Sequence, residues 1–184
     1  MSIELIALDP GPTQSGYVRW RGGHCFEGGM LPNTEVLDLL LENRRQVISP
    51  TVVVEFVQNM GMPAGKELFE TCFWVGRFCQ ACSPGPFERV YRMDIKHHLC
   101  GTAKAKQPHI RQALLDRFGG KDQAIGRKKA PGPLYGIKGH AWSALAVAVY
   151  WLETHGMTSK APNGPQDASE GIVGWIDIMD GGGH

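Results

Sequence analysis

The order of elements along the chain predicts an α/β fold built on a mixed sheet. Two apolar runs, at residues 5–8 and 52–54, have the composition of strands that are buried on both faces. A glycine pair, Gly22-Gly23, separates two further strand-like segments and predicts a hairpin turn. Beyond this hairpin, strands alternate with segments of helical period, which is typical of parallel strands joined by helices. We therefore expect three antiparallel strands followed by parallel strands with helices on the faces of the sheet.

Each element rests on a local signal in the sequence. Asn33 is a favoured N-cap for a helix over residues 34–45, whose C-terminal end is basic. Gly101 has the position of a helix terminator. The predicted strands are residues 4–9, 16–21, 24–31, 51–57 and 89–93, and the other predicted helices are residues 66–82, 94–99, 108–118 and 140–155, with a long basic loop at residues 119–139.

Length and composition indicate one ordinary globular domain. The chain has 184 residues, of which 42% are apolar, enough for a real core. It has no run of eighteen apolar residues and no basic, apolar leader, so we expect neither a membrane span nor a signal peptide. After the domain, residues 156–184 are rich in Gly, Pro, Ser and acids, which predicts a flexible acidic tail that docks at most locally.

The cysteines favour a reduced, cytoplasmic protein, because their number, five, is odd in a mid-sized domain. Cys79 and Cys82 have CxxC spacing, but no second pair follows. With Cys72 they lie on the helix predicted from residue 66, and we expect core cysteines rather than zinc or redox chemistry. The expected inner face of this helix is formed by Leu68, Cys72, Val75 and Cys79.

Charge is unevenly distributed along a chain whose net charge is only +1. Residues 89–140 contain twelve Lys and Arg against three Asp and Glu, a local balance of +9, whereas the rest of the chain has a balance of −8. Such segregation predicts a basic face for a polyanion partner. A solvated helix and loop without a ligand is the weaker alternative, because acids are so scarce in this stretch.

Two carboxylates interrupt segments that otherwise predict buried strands. Asp9 ends the first apolar run and is followed by Pro10-Gly11, and Glu55 lies inside the strand at residues 51–57. A buried charge is costly unless something pairs with it. Two acids on separate buried strands repel each other unless a cation lies between them. The pair therefore indicates a hard-metal site, and such metals commonly serve phosphate chemistry.

Four segments follow one another along the chain. They are Asp9-Pro10-Gly11 leading to Gly16, Glu55 near the end of a central strand, DIKHHLCGTAKAK at 94–106 and HAWSALAVA at 140–148. In this order they resemble the RuvC branch of the ribonuclease H-like nucleases, which are Holliday junction resolvases. The resemblance covers residues 3–152 and implies a ribonuclease H-like mixed five-stranded sheet flanked by helices, in a nuclease domain at residues 1–155. It also implies metal-dependent phosphodiester hydrolysis in branched DNA by a homodimer.

The resemblance implies that Asp9 bridges two Mg²⁺ ions and that Glu55 binds one of them. Two aspartates of the family's last helix fall on His140 and Ser143 in this sequence. A neutral imidazole can still ligate a metal, whereas Ser143 offers a weak or water-mediated contact. We therefore expect Asp9, Glu55 and His140 to be the catalytic and metal-binding residues. Because imidazole is a softer donor, we also expect weaker Mg²⁺ binding and relatively better support by Mn²⁺.

Basic side chains of the third segment, and of the loop before the last helix, are the expected DNA contacts. They gain affinity by neutralising phosphates and carry little sequence information. By the resemblance, Thr102 and Lys104 would touch the strand that is cut. The full predicted set is Lys96, Thr102, Lys104, Lys106, Arg111, Arg127, Lys128, Lys129 and Lys138.

The resemblance also suggests a wedge and a dimer interface. The loop after Glu55 often carries a bulky residue that opens the junction, and the candidates here are Phe56, Met60 and Met62, although core packing explains Phe56 at least as well. Gln58 occupies the usual aromatic position. The helix from residue 66 would form the interface of a dimer with two-fold symmetry, although some of its aromatic residues belong to the core. Its aromatic residues are Phe69, Phe73, Trp74 and Phe78.

Three hypotheses of function remain open at this point. The first is an endonuclease selective for Holliday junctions or related branched DNA. The second is another ribonuclease H-like nuclease that acts on flaps, other branched DNA or RNA–DNA hybrids. The third is a junction-binding protein with a degenerate site, which the serine at position 143 favours.

Overall fold

A computed structural model describes residues 4–45, 49–58, 61 and 63–157 of the chain. These residues form a five-stranded sheet of order β3-β2-β1-β4-β5, with a separate two-stranded hairpin. The strands are β1 Glu4–Asp9, β2 Gln14–Arg21, β3 His24–Pro32, β4 Thr51–Phe56, β5 Phe87–Tyr91, β6 Gly126–Arg127 and β7 Ala130–Pro131. The helices are α1 Asn33–Arg44, α2 Lys66–Cys82, α3 Arg92–Cys100, α4 Gln107–Arg117, α5 Lys121–Ala124 and α6 Ala141–Thr154.

The pairing of the strands confirms the predicted mixed sheet. β1, β2 and β3 pair antiparallel, whereas β4 pairs parallel with β1 and β5 pairs parallel with β4. Gly22 and Gly23 make the turn between β2 and β3 with φ angles of 59° and 88°. Both angles lie in the left-handed region, as a two-residue type I′ hairpin turn requires.

Two hydrophobic cores lie on opposite faces of the sheet, because side chains alternate along each strand. Ala7 and Val53 belong to the core that contains α6, α3 and α4. Leu8 and Val54 belong to the core that contains α1 and α2. The central strands are therefore buried on both faces, as their apolar composition predicts, and α6 is buried along nearly its whole length.

Several predicted boundaries are wrong by a few residues. Asn33 is the first residue of α1 rather than its N-cap, because its side chain binds Ser15 and the Gly11 carbonyl instead of the helix. β5 ends at Tyr91, and α3 follows at once, so Asp94 lies in the first turn of α3 and does not cap it. The region predicted as a long basic loop contains α5 and the β6–β7 hairpin.

The predicted inner face of α2 is wrong at Cys72 and Cys79, whereas Val75 is buried as expected. Cys72 and Cys79 are exposed, whereas Cys82 is buried as expected. Phe78, which is fully buried, turns inward with Val75. A phenylalanine buries much more apolar area than a cysteine, so the helix presents the stripe that contains Phe78 to the sheet.

The predicted C-terminal tail falls outside the described residues except for Gly156 and Met157. Met157 packs against the core that contains α6. In the part of the chain that the structure describes, no helix combines the length and the apolar character that a bilayer crossing requires.

Candidate active site

Asp9 and Glu55 lie at the same end of the two central parallel strands. The β1–β4 register pairs Leu8 with Val54, so Asp9 and Glu55 are the next residues of their strands. By the alternation of side chains, both acids share the face that Ala7 and Val53 occupy, under α6 and α3. The two carboxylates that the sequence singled out are therefore neighbours at one edge of the sheet.

Burial makes this pair of acids electrostatically unfavourable. Desolvation raises the pKa of Asp9 above its usual value, although His140, Arg92 and Ser143 act in the opposite direction. Desolvation also raises the pKa of Glu55, the charge of Asp9 raises it further, and Arg92 and Lys96 lower it. Each acid thus favours its neutral form more than a solvated carboxyl group does. A cation between the two carboxylates would offset their desolvation and their mutual repulsion.

His140 lies beside Asp9. Its Nδ1 atom is 3.1 Å from Oδ2 of Asp9, across a separation of 131 residues in the sequence. When Asp9 is ionised, Nδ1–H donates to it, which leaves Nε2 for another partner. The side chain of His140 is 69% exposed, so a ligand has access to this nitrogen.

A close backbone approach brings His140 to this position. Gly16 pairs with Asp9 across β1 and β2, and the start of α6 lies directly against it. A Cβ atom at Gly16 would lie 2.5 Å from the His140 carbonyl oxygen and 3.1 Å from the Ala141 nitrogen. Only glycine leaves room for the helix here, which explains the glycine that the sequence carries at this point.

A hydrogen-bonded chain that the sequence analysis missed connects the site. Nη1 of Arg92 donates to Oε1 of Glu55 at 2.7 Å, and Nη2 donates to Oε1 of Gln107 at 3.1 Å. The Gln107 amide in turn donates to Oγ of Ser143 at 3.0 Å, and the Ser143 hydroxyl is near enough to Asp9 to lower the pKa of that carboxyl group. Arg92 directly follows β5 at the same sheet edge as Glu55, but placing the end of β5 two residues too late hid this proximity.

The residues at this edge fit one divalent cation. Mg²⁺ is commonly bound by one or two carboxylates, with waters and substrate phosphates completing its coordination. Asp9 and Glu55 would supply two such ligands, and their mutual repulsion would favour a cation. Among the described residues, no group of three His, Cys, Asp and Glu side chains is arranged to hold a metal ion. The triad of Asp9, Glu55 and His140 therefore stays a prediction.

The predicted DNA-binding residues lie on several elements, and Lys96 is the member that acts on the acidic pair. Lys96 of α3 is close enough to influence Glu55. Arg111 is exposed on α4 and stacks over the Trp142 ring at 4.8 Å. Lys138 borders an open cleft of about 460 Å³ that is also lined by Tyr17 and Met30. The remaining members are exposed, namely Thr102, Lys104 and Lys106 before α4, and Arg127, Lys128 and Lys129 at the β6–β7 hairpin.

Of the wedge candidates, Met60 and Met62 lie outside the described residues. Gln58 is exposed. Phe56 is half-buried against the core formed with α1 and α2, makes an edge contact with the Tyr91 ring and lies under the Arg89 guanidinium. Since Phe56 is on the opposite face from Glu55, its contacts are those of a packing residue.

The aromatic residues of α2 divide between core and surface. Phe69 is 65% exposed and Phe73 is 58% exposed, whereas Phe78 is fully buried. The Arg77 guanidinium lies 5.7 Å from the Phe73 ring centroid and 4.6 Å from that of Trp74. α2 therefore has an outward aromatic surface formed by Phe69 and Phe73, whereas Trp74 is half-buried against the core that contains α1 and α2.

Comparisons with known proteins give structural matches alone. No protein-family model and no curated protein matches the sequence. The solved structure of Thermus thermophilus RuvC matches with a TM-score of 0.58 and 18% identity, over 84% of this chain and 98% of that one. The chain has the RuvC fold. T. thermophilus RuvC in complex with a Holliday junction substrate matches with a TM-score of 0.55 and 18% identity, over 80% of this chain and 92% of that one. The RuvC likeness confirms the predicted ribonuclease H-like sheet and its flanking helices.

Proposed function

We propose that this protein is a metal-dependent endonuclease of the crossover junction type, which hydrolyses phosphodiesters in Holliday junctions or related branched DNA. The observation that carries the proposal is the convergence of Asp9, Glu55 and His140 at one edge of a sheet with the RuvC fold. Two desolvated carboxylates beside an exposed imidazole form a site for a divalent cation and an anionic substrate.

The chemistry follows from the residues. Asp9 and Glu55 would hold Mg²⁺ or Mn²⁺, which supplies charge stabilisation and an activated water when bound. His140 adds an imidazole nitrogen beside Asp9, and this softer donor favours Mn²⁺ more than a third carboxylate would. We expect Mn²⁺ to support cleavage at least as well as Mg²⁺, and a strong preference for Mg²⁺ would contradict this assignment of His140.

Binding of DNA would rest on the basic residues around the site. Lys96 is near Glu55, and the exposed Lys138 lies two residues before His140 in the chain, so both would contribute positive charge to a DNA-binding surface. Such residues bind phosphates of any sequence, and selectivity for a junction then comes from shape. The solved RuvC complex contains a Holliday junction substrate, which supports branched DNA as the partner.

A homodimer would place two such sites on opposed strands of a symmetric junction. The outward aromatic surface of α2 supports this assignment, because Phe69 and Phe73 expose more apolar area than a solvated helix requires. Replacing Phe69 with Ser should convert the dimer to a monomer in analytical ultracentrifugation, and an unchanged mass would contradict it.

The degenerate-site hypothesis remains a second candidate because of Ser143. Its hydroxyl is buried and binds Gln107, so position 143 supplies no charge to a metal. A protein with so few acidic ligands would bind junctions without cutting them if Asp9 and Glu55 alone do not suffice.

One assay separates the hypotheses. Four-way junction, flap, RNA–DNA hybrid and plain duplex are each incubated with Mg²⁺, Mn²⁺ or EDTA. We expect metal-dependent cutting of the junction that Asp9→Asn abolishes and that Asp38→Asn, at an exposed aspartate of α1, preserves. Cutting of the hybrid but not of the junction would select the broader nuclease hypothesis, and binding without cutting under every metal would select the degenerate site.

A further inference from the structure

Arg92 links the Glu55 side of the acidic site to the α6 side. Its guanidinium binds Glu55 at 2.7 Å and Gln107 at 3.1 Å, and Gln107 continues to Ser143 of α6. Its charge also acts on Asp9. A positive group is therefore fixed by two hydrogen bonds within electrostatic reach of both carboxylates.

The guanidinium is also accessible to a ligand. The side chain of Arg92 is 43% exposed, whereas that of Glu55 is 12% exposed. A guanidinium has five N–H donors, and hydrogen bonds with described residues use two of them. The planar arrangement of the remaining donors suits phosphate oxygens, which arginine binds more specifically than lysine does.

The balance of charge at this edge disfavours the binding of two divalent ions. Asp9 and Glu55 together contribute two negative charges when ionised, and Arg92 already neutralises one of them. A second divalent cation near Glu55 would meet the repulsion of Arg92, and Ser143 offers it no charge on the α6 side.

We propose that Arg92 takes the place of one of the two cations, so that the site holds a single metal ion and Arg92 donates to the phosphate that is cut. This inference rests on the proposed function. In the hydrolysis, the oxygen of a water molecule bonds to phosphorus and loses a proton, while the bond to the leaving sugar oxygen breaks and that oxygen takes up a proton. Negative charge develops on the phosphate oxygens, where a fixed donor stabilises the transition state.

The inference predicts opposite effects on metal binding and on cleavage. In titrations of Mn²⁺ into the DNA-free protein, followed by calorimetry, the wild type should bind one ion per chain. Arg92→Gln should bind Mn²⁺ about 10-fold more tightly, because the competing positive charge is gone. The same variant should cut the four-way junction roughly 100-fold more slowly, since a transition-state donor is lost.

Two further variants make the result specific. Arg92→Lys keeps the charge but not the paired donors, so it should bind Mn²⁺ as the wild type does and still cut more slowly. If Arg92→Gln does not fold, the cleavage rate of Arg92→Lys still shows whether the paired donors of Arg92 act on the phosphate. Arg89→Ala removes the same charge from the opposite face of β5, where Arg89 lies over Phe56, and should change neither quantity.

Two ions bound by the wild type would overturn the inference, as would an Arg92→Gln variant that folds and binds Mn²⁺ no more tightly. Wild-type cleavage by Arg92→Lys would do the same. If the wild type cuts no branched substrate, the proposed function is wrong, but the inference about Arg92 and metal binding is still tested. The titration contains no DNA and still shows whether Arg92 competes with a metal ion.

Discussion

Replacing Gly16 with alanine tests how the active site is assembled. The new Cβ would lie 2.5 Å from the His140 carbonyl oxygen and 2.6 Å from the His140 carbonyl carbon, whereas ordinary contacts are 3.4–4 Å. Both neighbours are backbone atoms, so the start of α6 has to move by about 1 Å to restore normal van der Waals contact. That displacement is large relative to the 3.1 Å contact of His140 with Asp9.

Two quantities should change in this variant. Overpacking of this kind costs about 1–3 kcal/mol of unfolding free energy. If His140 has the proposed role, its misplacement by about 1 Å should lower cleavage roughly 100-fold. Urea unfolding measures the first effect, and single-turnover cleavage of a four-way junction measures the second.

A matched glycine gives the control for this experiment. Gly76 lies inside α2, and a Cβ atom there meets nothing within 4 Å. Gly76→Ala should therefore stabilise the protein by about 0.5–1 kcal/mol through helix propensity. If Gly16→Ala unfolds and cleaves as the wild type does, the close approach of α6 to β2 does not position His140, and the reasoning is refuted.

Three further predictions concern the turn, the basic hairpin and pH. Asn33→Ala removes the hydrogen bonds to Ser15 and to the Gly11 carbonyl, and should lower the unfolding free energy by about 1–3 kcal/mol in urea titrations; an unchanged midpoint would contradict this. Alanine at Arg127, Lys128 and Lys129 together should weaken binding to junction and duplex alike and reduce the slope of log affinity against log salt by about 2–3, and loss of junction binding alone would contradict a role as phosphate contacts. Without metal, the folded protein should lose stability as pH rises from about 4, because burial raises the pKa values of Asp9 and Glu55 above their usual 3.8 and 4.5, so the folded state binds more protons than the unfolded state in that window. Urea unfolding across pH should show a smaller loss in Asp9→Asn, and equal profiles for the two proteins would contradict the assignment.

The central sheet and its acids could be predicted because their signals are local. An apolar run broken by a carboxylate shows a buried strand with a functional group, whatever the rest of the chain does. Asp9 and Glu55 each lie in such a run, and parallel pairing of adjacent strands brings their ends together. His140 required the resemblance to the family's last helix, since a histidine before a helix has no distinctive local pattern.

Arg92 and Gln107 could not be found in the same way. Their roles depend on where β5 ends and where α4 begins, and an error of two residues changes which side chains reach the sheet edge. The buried face of α2 was also predicted wrongly at Cys72 and Cys79. Cysteines and phenylalanines both recur at helical spacing in this segment, so the sequence pattern alone does not show which of them face the core. Only the packing decides that Phe78 is buried and that Cys79 is exposed.

The long sequence separation between Asp9 and His140 has a consequence for biosynthesis. Because His140 follows Asp9 by 131 positions in the sequence, the imidazole and the helix that covers this face of the sheet are synthesised after all five strands of the sheet. Domains form as units after their chain has been synthesised. A growing polypeptide therefore carries the two carboxylates before the imidazole, and the arrangement of Asp9, Glu55 and His140 forms only after α6 has been added.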